Sequence, residues 1–146
     1  MLIRQTAFDF EAGVTVKALS PGRQAGITCY YDENSFLNFY IEDGYLKLRQ
    51  HVGRDDILQE PFELDEDAGD IQLKTVCHGL AREFYDRSGC DDEYRLAFCL
   101  PKVTWLCDEG VKMGKRFTGA MTGLFAYADN DSFYGEFSNF YYKELV

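Results

Sequence analysis

The C-terminal stretch from Arg116 to Val146, RFTGAMTGLFAYADNDSFYGEFSNFYYKELV, decides the fold of this chain. Apolar and small residues alternate along two parts of it, from Phe117 to Tyr127 and again from Glu136 to Tyr142. A period of two residues is typical of extended strands, and apolar groups on both faces favour strands in the middle of a sheet. The short polar side chains of Asp129–Ser132 suit a turn between them. The stretch therefore predicts two central strands of a β-sandwich.

The alternation also predicts which side chains share a face. Two glycines of the first strand, Gly119 and Gly123, fall on the face that we expect to look inward. Because they have no side chain, they leave room there for a large neighbour such as Phe125 or Tyr142. In the second strand, one face is predicted to carry Phe137, Asn139 and Tyr141.

The chain before this stretch is also divided into short strands by turn signals. The predicted strands are Phe8–Ala18, Ala25–Tyr31, Ser35–Ile41, Tyr45–Gln50, Ile71–His78, Leu80–Asp86 and Glu93–Leu100. Glu42–Gly44 and Gly79 supply hairpin turns, and the acidic segment 53–70 is expected to hold a short edge strand and loops. About ten strands, without a long helix or a repeat, predict an all-β, antiparallel two-sheet sandwich of jelly-roll type.

Composition limits the size and the partners of the protein. The chain has 146 residues, which predicts a single domain over residues 1–146 that buries about two-thirds of its unfolded surface. Aromatic residues make up 16% of the chain and there are only three prolines, which suits strands. The net charge of −10 argues against nucleic acid and anionic membranes as partners. Neither a signal segment nor an apolar run of about 18 residues is visible.

The cysteines indicate the redox environment. There are five of them: Cys29, Cys77, Cys90, Cys99 and Cys107. Their odd number and the lack of a secretion signal predict reduced thiols and a cytoplasmic location. A metal cluster with His51 and His78 lacks the usual Cys-x-x-Cys or His-x-x-x-His spacing. We therefore expect no metal and no other cofactor.

Acidic residues are abundant but are not arranged as a recognisable active site. They cluster at Asp55-Asp56, Glu63–Asp67, Asp91–Glu93 and Asp108-Glu109. A glycosidase needs two carboxyl groups about 5–10 Å apart across a sugar, and nothing in the sequence places a pair in a cleft. Solvated loops and protected strand edges are the favoured interpretation. The run Glu63–Asp70 offers oxygen ligands for calcium, but without the spacing of a known calcium loop.

Short motifs spread over nearly the whole chain carry a family resemblance. They are Arg4-Gln5 with Phe8–Ala12, Ala25-Gly26 with Tyr30-Tyr31, Leu73-Lys74 with Gly79-Leu80 and Phe84-Tyr85, Leu106–Glu109, Phe117–Gly123, and the closing Phe137, Phe140 and Tyr142. Leu106–Glu109 is the motif most specific to the family. The order and spacing of all the motifs together are stronger evidence for the resemblance than any one motif. The sequence resembles the C-terminal, concanavalin A-like β-sandwich of glycoside hydrolase family 43 (GH43) β-xylosidases and α-arabinofuranosidases.

The resemblance implies a role beside a catalytic domain. In that family, catalysis belongs to a five-bladed propeller N-terminal to the sandwich, and these 146 residues hold no propeller. The resemblance thus predicts a non-catalytic accessory domain of a xylan-degrading glycosidase, whose expected partners are the propeller and a pentose-containing oligosaccharide. Homo-oligomer formation stays open.

The resemblance also implies a site. In the family a loop of the sandwich lends an aromatic side to the sugar pocket. This loop maps onto Lys112, Met113, Gly114, Lys115, Arg116 and Phe117. Arg116 stands where the family has an aromatic residue, which puts a wall-forming role in question. We expect its guanidinium to donate hydrogen bonds to a sugar hydroxyl or to a propeller carboxylate.

Two other interpretations stay open at this point. In the first, the chain is a free carbohydrate-binding module in which Tyr30, Tyr40 or Tyr45 lines a concave sheet and stacks on sugars. In the second, it is an enzyme in its own right, since lectin-like sandwiches also host glycanases. Those carry a Glu-x-Asp-x-x-Glu pattern, which the segment Glu63–Glu66 does not match. Exposed tyrosines on one sheet face would favour the binding module. A flat apolar patch near the 112–117 loop would favour the accessory domain.

Overall fold

The computed structural model describes residues 2–4, 9–17, 21–66, 69–88, 91–104, 121–128 and 135–145. Within these ranges there is no helix, and hence none that could cross a membrane. The strands in chain order are β1 (Leu2–Arg4), β2 (Asp9–Val16), β3 (Arg23–Asp32), β4 (Ser35–Glu42), β5 (Tyr45–Val52), β6 (Asp55–Leu58), β7 (Phe62–Glu63), β8 (Ile71–His78), β9 (Ala81–Ser88), β10 (Arg95–Leu100), β11 (Met121–Ala128) and β12 (Phe137–Glu144). The all-β prediction is confirmed.

The strands form two antiparallel sheets. The seven-stranded sheet has the order β1-β11-β3-β4-β5-β6, with β7 also paired to β5, and the five-stranded sheet has the order β10-β9-β8-β2-β12. Apolar side chains fill the space between the sheets. At its centre, the ring of Phe39 lies 5.2 Å from that of Phe84 and 6.0 Å from that of Phe98. The predicted two-sheet sandwich is therefore confirmed. We call the face of each sheet that meets this core the inner face and the opposite one the outer face.

The β4–β5 hairpin is built as its sequence predicts. Asp43 and Gly44 both have positive φ, of 50° and 80°, which is typical of a type I′ turn. The Asp43 carboxylate also accepts a hydrogen bond of 2.7 Å from the backbone N–H of Gly22. The two strands pair without a register shift, so that Glu42 stands directly opposite Tyr45.

The prediction for Gly123 is wrong. Leu124 packs against the core, whereas the ring of Phe125 lies 5.6 Å from that of Tyr40 on the outer face. Because neighbouring residues of a strand point to opposite faces, Gly123 shares the outer face with Phe125. Both faces of β11 carry apolar residues, so the alternation alone could not tell which one meets the other sheet. Gly119 lies outside the described residues.

The predictions for the last strand are also wrong. β12 lies at the end of its sheet order rather than in the middle, beyond β2. Its register with β2 shifts near Asn139, which has a φ of 55°. Residues three apart in a regular strand point to opposite faces. The bulge adds one residue between Phe137 and Phe140, so both of them pack against the core. Tyr142 then stacks on Phe10 at 5.1 Å.

A buried hydroxyl gives a first prediction. Thr75 in β8 is fully buried, and its Oγ1 has no hydrogen-bond partner. We expect Thr75→Val to raise the free energy of unfolding by about 1 kcal/mol, because an unpaired hydroxyl is costly to bury and valine keeps the shape. Thr122→Val is the matched control, since Thr122 is equally buried but has an interaction of its own. Urea unfolding measures both, and a Thr75→Val variant no more stable than wild type would contradict the assignment.

Candidate functional site on the sheet faces

The site implied by the family resemblance, Lys112–Phe117, lies outside the described residues, as does Trp105. The structure describes the chain up to residue 104 and again from residue 121. Before the gap, Val103 is buried and its N–H donates a 2.7 Å hydrogen bond to the carbonyl of Leu80. After it, β11 is paired on both sides, to β1 and β3. The chain is thus anchored before and after this segment, and the role of Arg116 stays a prediction.

Acidic side chains from separate parts of the chain surround one hollow. The hollow is lined by Glu63, Leu64, Asp65, Asp86, Ser88, Asp91 and Arg95. Asp86 is only 4% exposed, and both of its carboxylate oxygens accept hydrogen bonds of 3.0 Å from Arg95. The same guanidinium lies 5.1 Å from the ring centre of Phe62. The buried carboxylate is therefore neutralised by an arginine that packs on an aromatic ring.

This arrangement limits the chemistry of the hollow. Sequence reasoning pointed to the acidic runs and missed Asp86, because this residue belongs to no such run and only the pairing of β9 with β10 brings Arg95 opposite it. Among the described residues, no group of three or more histidine, cysteine, aspartate or glutamate side chains could hold a metal ion. The calcium hypothesis for Glu63–Asp70 therefore gains no support from this part of the chain.

Aromatic rings stand in a stack on the outer face of the seven-stranded sheet. The rings of Tyr30 and Phe36 are 6.1 Å apart, and those of Phe36 and His51 are 4.7 Å apart, with small interplanar angles. Asp56 accepts a 2.9 Å hydrogen bond from Arg49 Nε, and His51 Nδ1 lies 2.8 Å from the same oxygen. The hydrogen bond from Arg49 and, to a smaller extent, the contact with His51 lower the pKa of Asp56 below its ordinary value. The contact between His51 and Asp56 therefore fixes one end of the stack. Within the stack, each ring covers a face of its neighbour.

The tyrosines proposed for a sugar-binding sheet differ in their availability. Tyr30 has one face covered by Phe36. Tyr40 is only 4% exposed and packs edge-on against Phe125, so its expected role as a stacking platform is wrong. Tyr45 is 39% exposed and remains available. The sequence could not separate the three, since all of them lie on strands of the same sheet.

The outer face of the five-stranded sheet is closed by its own contacts. Lys74 Nζ lies 4.8 Å from the ring centre of Tyr85 and 4.1 Å from that of Tyr94. Tyr141 donates a 2.8 Å hydrogen bond to Glu11, and burial together with this bond raises the pKa of Tyr141. The ammonium group of Lys74 and the hydroxyl group of Tyr141 thus already interact with side chains of the same face. This face therefore offers few groups to a ligand.

The described cysteines are free. Cys29 and Cys77 are buried and Cys99 is exposed. Arg82 Nη1 donates a 3.2 Å hydrogen bond to Cys29 Sγ, and burial raises the pKa of the Cys77 thiol. A buried thiol with a raised pKa is a poor nucleophile, so Cys77 acts as a small core residue. The other two cysteines lie outside the described residues.

The family described as the β-xylosidase C-terminal concanavalin A-like domain matches residues 1–143. The protein is therefore a concanavalin A-like β-sandwich. It belongs to the family of β-xylosidase C-terminal domains, as the motifs in its sequence predicted.

Solved structures with the same fold include larger enzymes. The GH43 BlXynB protein from Bacillus licheniformis is 26% identical, with a TM-score of 0.84 over 99% of this chain and 29% of that chain. The xylan β-1,4-xylosidase from Bacillus halodurans is 24% identical, with a TM-score of 0.83, over 98% and 29% respectively. A functionally unknown protein from Saccharomyces cerevisiae, 17% identical, shares the fold with a TM-score of 0.65 and is covered over 73% of its length. No curated protein matched the sequence. The chain thus spans less than a third of the GH43 chains that it resembles.

Proposed function

We propose that this chain is the non-catalytic C-terminal domain of a β-xylosidase-like glycosidase. It packs on a β-propeller catalytic domain, completes that domain's sugar pocket, and so supports the hydrolysis of O-glycosyl bonds. The observation that carries the proposal is the family match over residues 1–143, combined with coverage of only 29% of the GH43 chains. The remaining length of those chains is where a catalytic domain would lie.

The buried carboxylate supports a catalytic centre on the partner. A glycosidase needs one carboxyl group that gives up a proton and a second one facing it across the sugar. Within the described ranges, the buried carboxylate is Asp86, and Arg95 holds both of its oxygens. Because Arg95 occupies both oxygens, this carboxylate is not free to serve as either of the two groups.

The strand that follows the 112–117 segment supports a role of that segment at the interface. β11 follows it in the chain and is paired to β1 through three residues and to β3 through eight. A strand held on both sides is a rigid support for a binding residue that stands just before it in the sequence. In the proposal, Arg116 donates hydrogen bonds to a sugar hydroxyl or to a carboxylate of that domain.

A domain exchange tests the proposal. We expect the isolated chain to hydrolyse neither aryl β-xylosides nor aryl α-arabinofuranosides above background. We further expect the Bacillus licheniformis GH43 protein to lose activity when its own C-terminal sandwich is deleted, and to regain it when this chain is fused in its place. In that fusion, Arg116→Ala should lower kcat/KM while leaving the melting temperature of this domain nearly unchanged.

Two results would count against this function. One is turnover by the isolated chain that disappears on a single Asp or Glu substitution, which would make the chain an enzyme. The other is a folded fusion that stays as inactive as the deletion. If Arg116→Ala lowers only the melting temperature, the 112–117 segment is structural and the site assignment is wrong.

A further inference from the structure

A row of four side chains crosses the outer face of the seven-stranded sheet. Register places Tyr127 of β11 opposite Gln24 of β3, Gln24 opposite Glu42 of β4, and Glu42 opposite Tyr45 of β5. Directly paired residues of neighbouring strands point to the same face. We call these four residues, together with Lys47, the Tyr127–Tyr45 row.

The two ends of the row are exposed aromatic rings. Tyr127 is 56% exposed and Tyr45 is 39% exposed. They are separated by three inter-strand spacings, or about 14 Å, which is longer than one sugar ring. The next row of side chains on the same face contains Tyr40 and Phe125, whose rings pack together. This pair supplies an apolar floor beside the space between Tyr127 and Tyr45. This differs from the Tyr30 stack, in which the rings cover one another.

The middle of the row is a fixed polar group. Gln24 Nε2 donates a 2.5 Å hydrogen bond to one carboxylate oxygen of Glu42, and Lys47 Nζ donates a 2.7 Å hydrogen bond to the other. These contacts hold the carboxylate in one orientation. Lone pairs on Glu42, the carbonyl of Gln24 and further N–H groups of Lys47 can still accept from or donate to a ligand.

The charge of this centre selects the kind of ligand. Glu42 and Lys47 form an ion pair of 2.7 Å with no net charge, and Gln24 is neutral. The centre itself therefore attracts neither an anion nor a cation, and the exposed Glu63 opposite Tyr45 adds a further hydrogen-bond acceptor at that end of the row. A ligand that suits exposed aromatic rings at two points and both donors and acceptors between them is neutral, has apolar ring faces, and carries many hydroxyl groups.

We propose that the Tyr127–Tyr45 row binds a short neutral oligosaccharide. The tyrosines stack on sugar rings at the two ends, and Gln24, Glu42 and Lys47 hydrogen-bond the hydroxyl groups between them. The row shares no residue with the 112–117 segment, so substitutions can test the two proposals separately. Only the choice of a xylose-based probe rests on the proposed function.

Titration of the whole chain tests this site, with xylohexaose and cellohexaose as probes and calorimetry as the readout. We expect saturable binding of at least one of them. Tyr127→Ala and Tyr45→Ala should each weaken binding about tenfold, the loss expected when one aromatic contact is removed. Tyr127→Phe and Tyr45→Phe should keep most of the affinity, because the ring remains.

Tyr141→Ala is the matched control, since Tyr141 is 36% exposed on the other sheet and should not affect binding. Melting curves establish that each variant is folded, and the phenylalanine variants keep the test usable if an alanine variant is not. The proposal is overturned if the wild type binds neither hexaose, or if Tyr127→Ala binds as tightly as Tyr141→Ala. Binding of cellohexaose alone would support the row and contradict the xylan-directed function. Failure of the domain exchange alone would leave the row intact.

Discussion

We expect the Gly26→Ala variant to lose about 3 kcal/mol or more of its free energy of unfolding. A methyl carbon placed on Gly26 would lie 2.1 Å from the carbonyl oxygen of Phe39 and 2.6 Å from Cα of Tyr40. Both are backbone atoms of the neighbouring strand, which cannot rotate away as the end of a side chain can. The ladder between β3 and β4 would have to open, and overpacking of this kind is among the costlier substitutions.

Gly44→Ala is the control for this variant. Gly44 has a φ of 80° but nothing within 4 Å of a methyl group, so its substitution costs about 1 kcal/mol through backbone strain alone. Denaturant unfolding of both variants separates lack of space from strain. Equal losses would contradict the close approach of the two strands. Because Gly26 stands beside Phe125 and Tyr40, the variant should also disturb the floor of the Tyr127–Tyr45 row and weaken glycan binding.

The second large effect is expected in the core. Phe39 is fully buried, and its ring contacts those of Phe84 and Phe98 from the opposite sheet. Phe39→Ala removes these contacts and leaves a cavity between the sheets. We therefore expect a loss of about 3–5 kcal/mol in the free energy of unfolding, measured in urea.

Leu58→Ala is the matched comparison for the core variant. Leu58 is also a large apolar residue of the same sheet, but it is 62% exposed, so its loss should change stability by no more than about 0.5 kcal/mol. If Phe39→Ala and Leu58→Ala were similar, the two sheets would not be held together by this aromatic cluster. Since such a domain is stabilised by about 5–15 kcal/mol in total, Phe39→Ala should leave little reserve.

The two sheets of this domain have different outer faces. The outer face of the five-stranded sheet engages its own charges and phenols, as with Lys74 between two tyrosine rings. The seven-stranded sheet instead presents Tyr127 and Tyr45 around a neutral polar centre. This difference explains why we place a glycan on the larger sheet. Contact with a catalytic domain is a separate proposal that rests on the family and on the 112–117 segment.

Several properties followed from the sequence by itself. A period of two residues from Phe10 to Val16 was enough to predict which side of β2 is buried, because its other side is polar. Asp43-Gly44 predicted its hairpin, since few residues accept two successive positive φ values. The ordered motifs predicted the family that matches residues 1–143. Each of these predictions depends on residues that are close together in the sequence, or on several such short motifs in a fixed order.

Other properties were decided only by the tertiary structure. Alternation defines two faces of a strand but not which of them meets the other sheet, which is why the inward face predicted for Gly123 is wrong. The bulge at Asn139 changes the face of every residue after it, and it is seen only in the register of β12 with β2. The Tyr127–Tyr45 row joins residues from four strands, among them Gln24 and Glu42. Glu42 and Tyr45 lie across one predicted hairpin, but Tyr127, Gln24 and Glu42 are far apart in the sequence and become neighbours only through the register of the sheet, which no local pattern encodes.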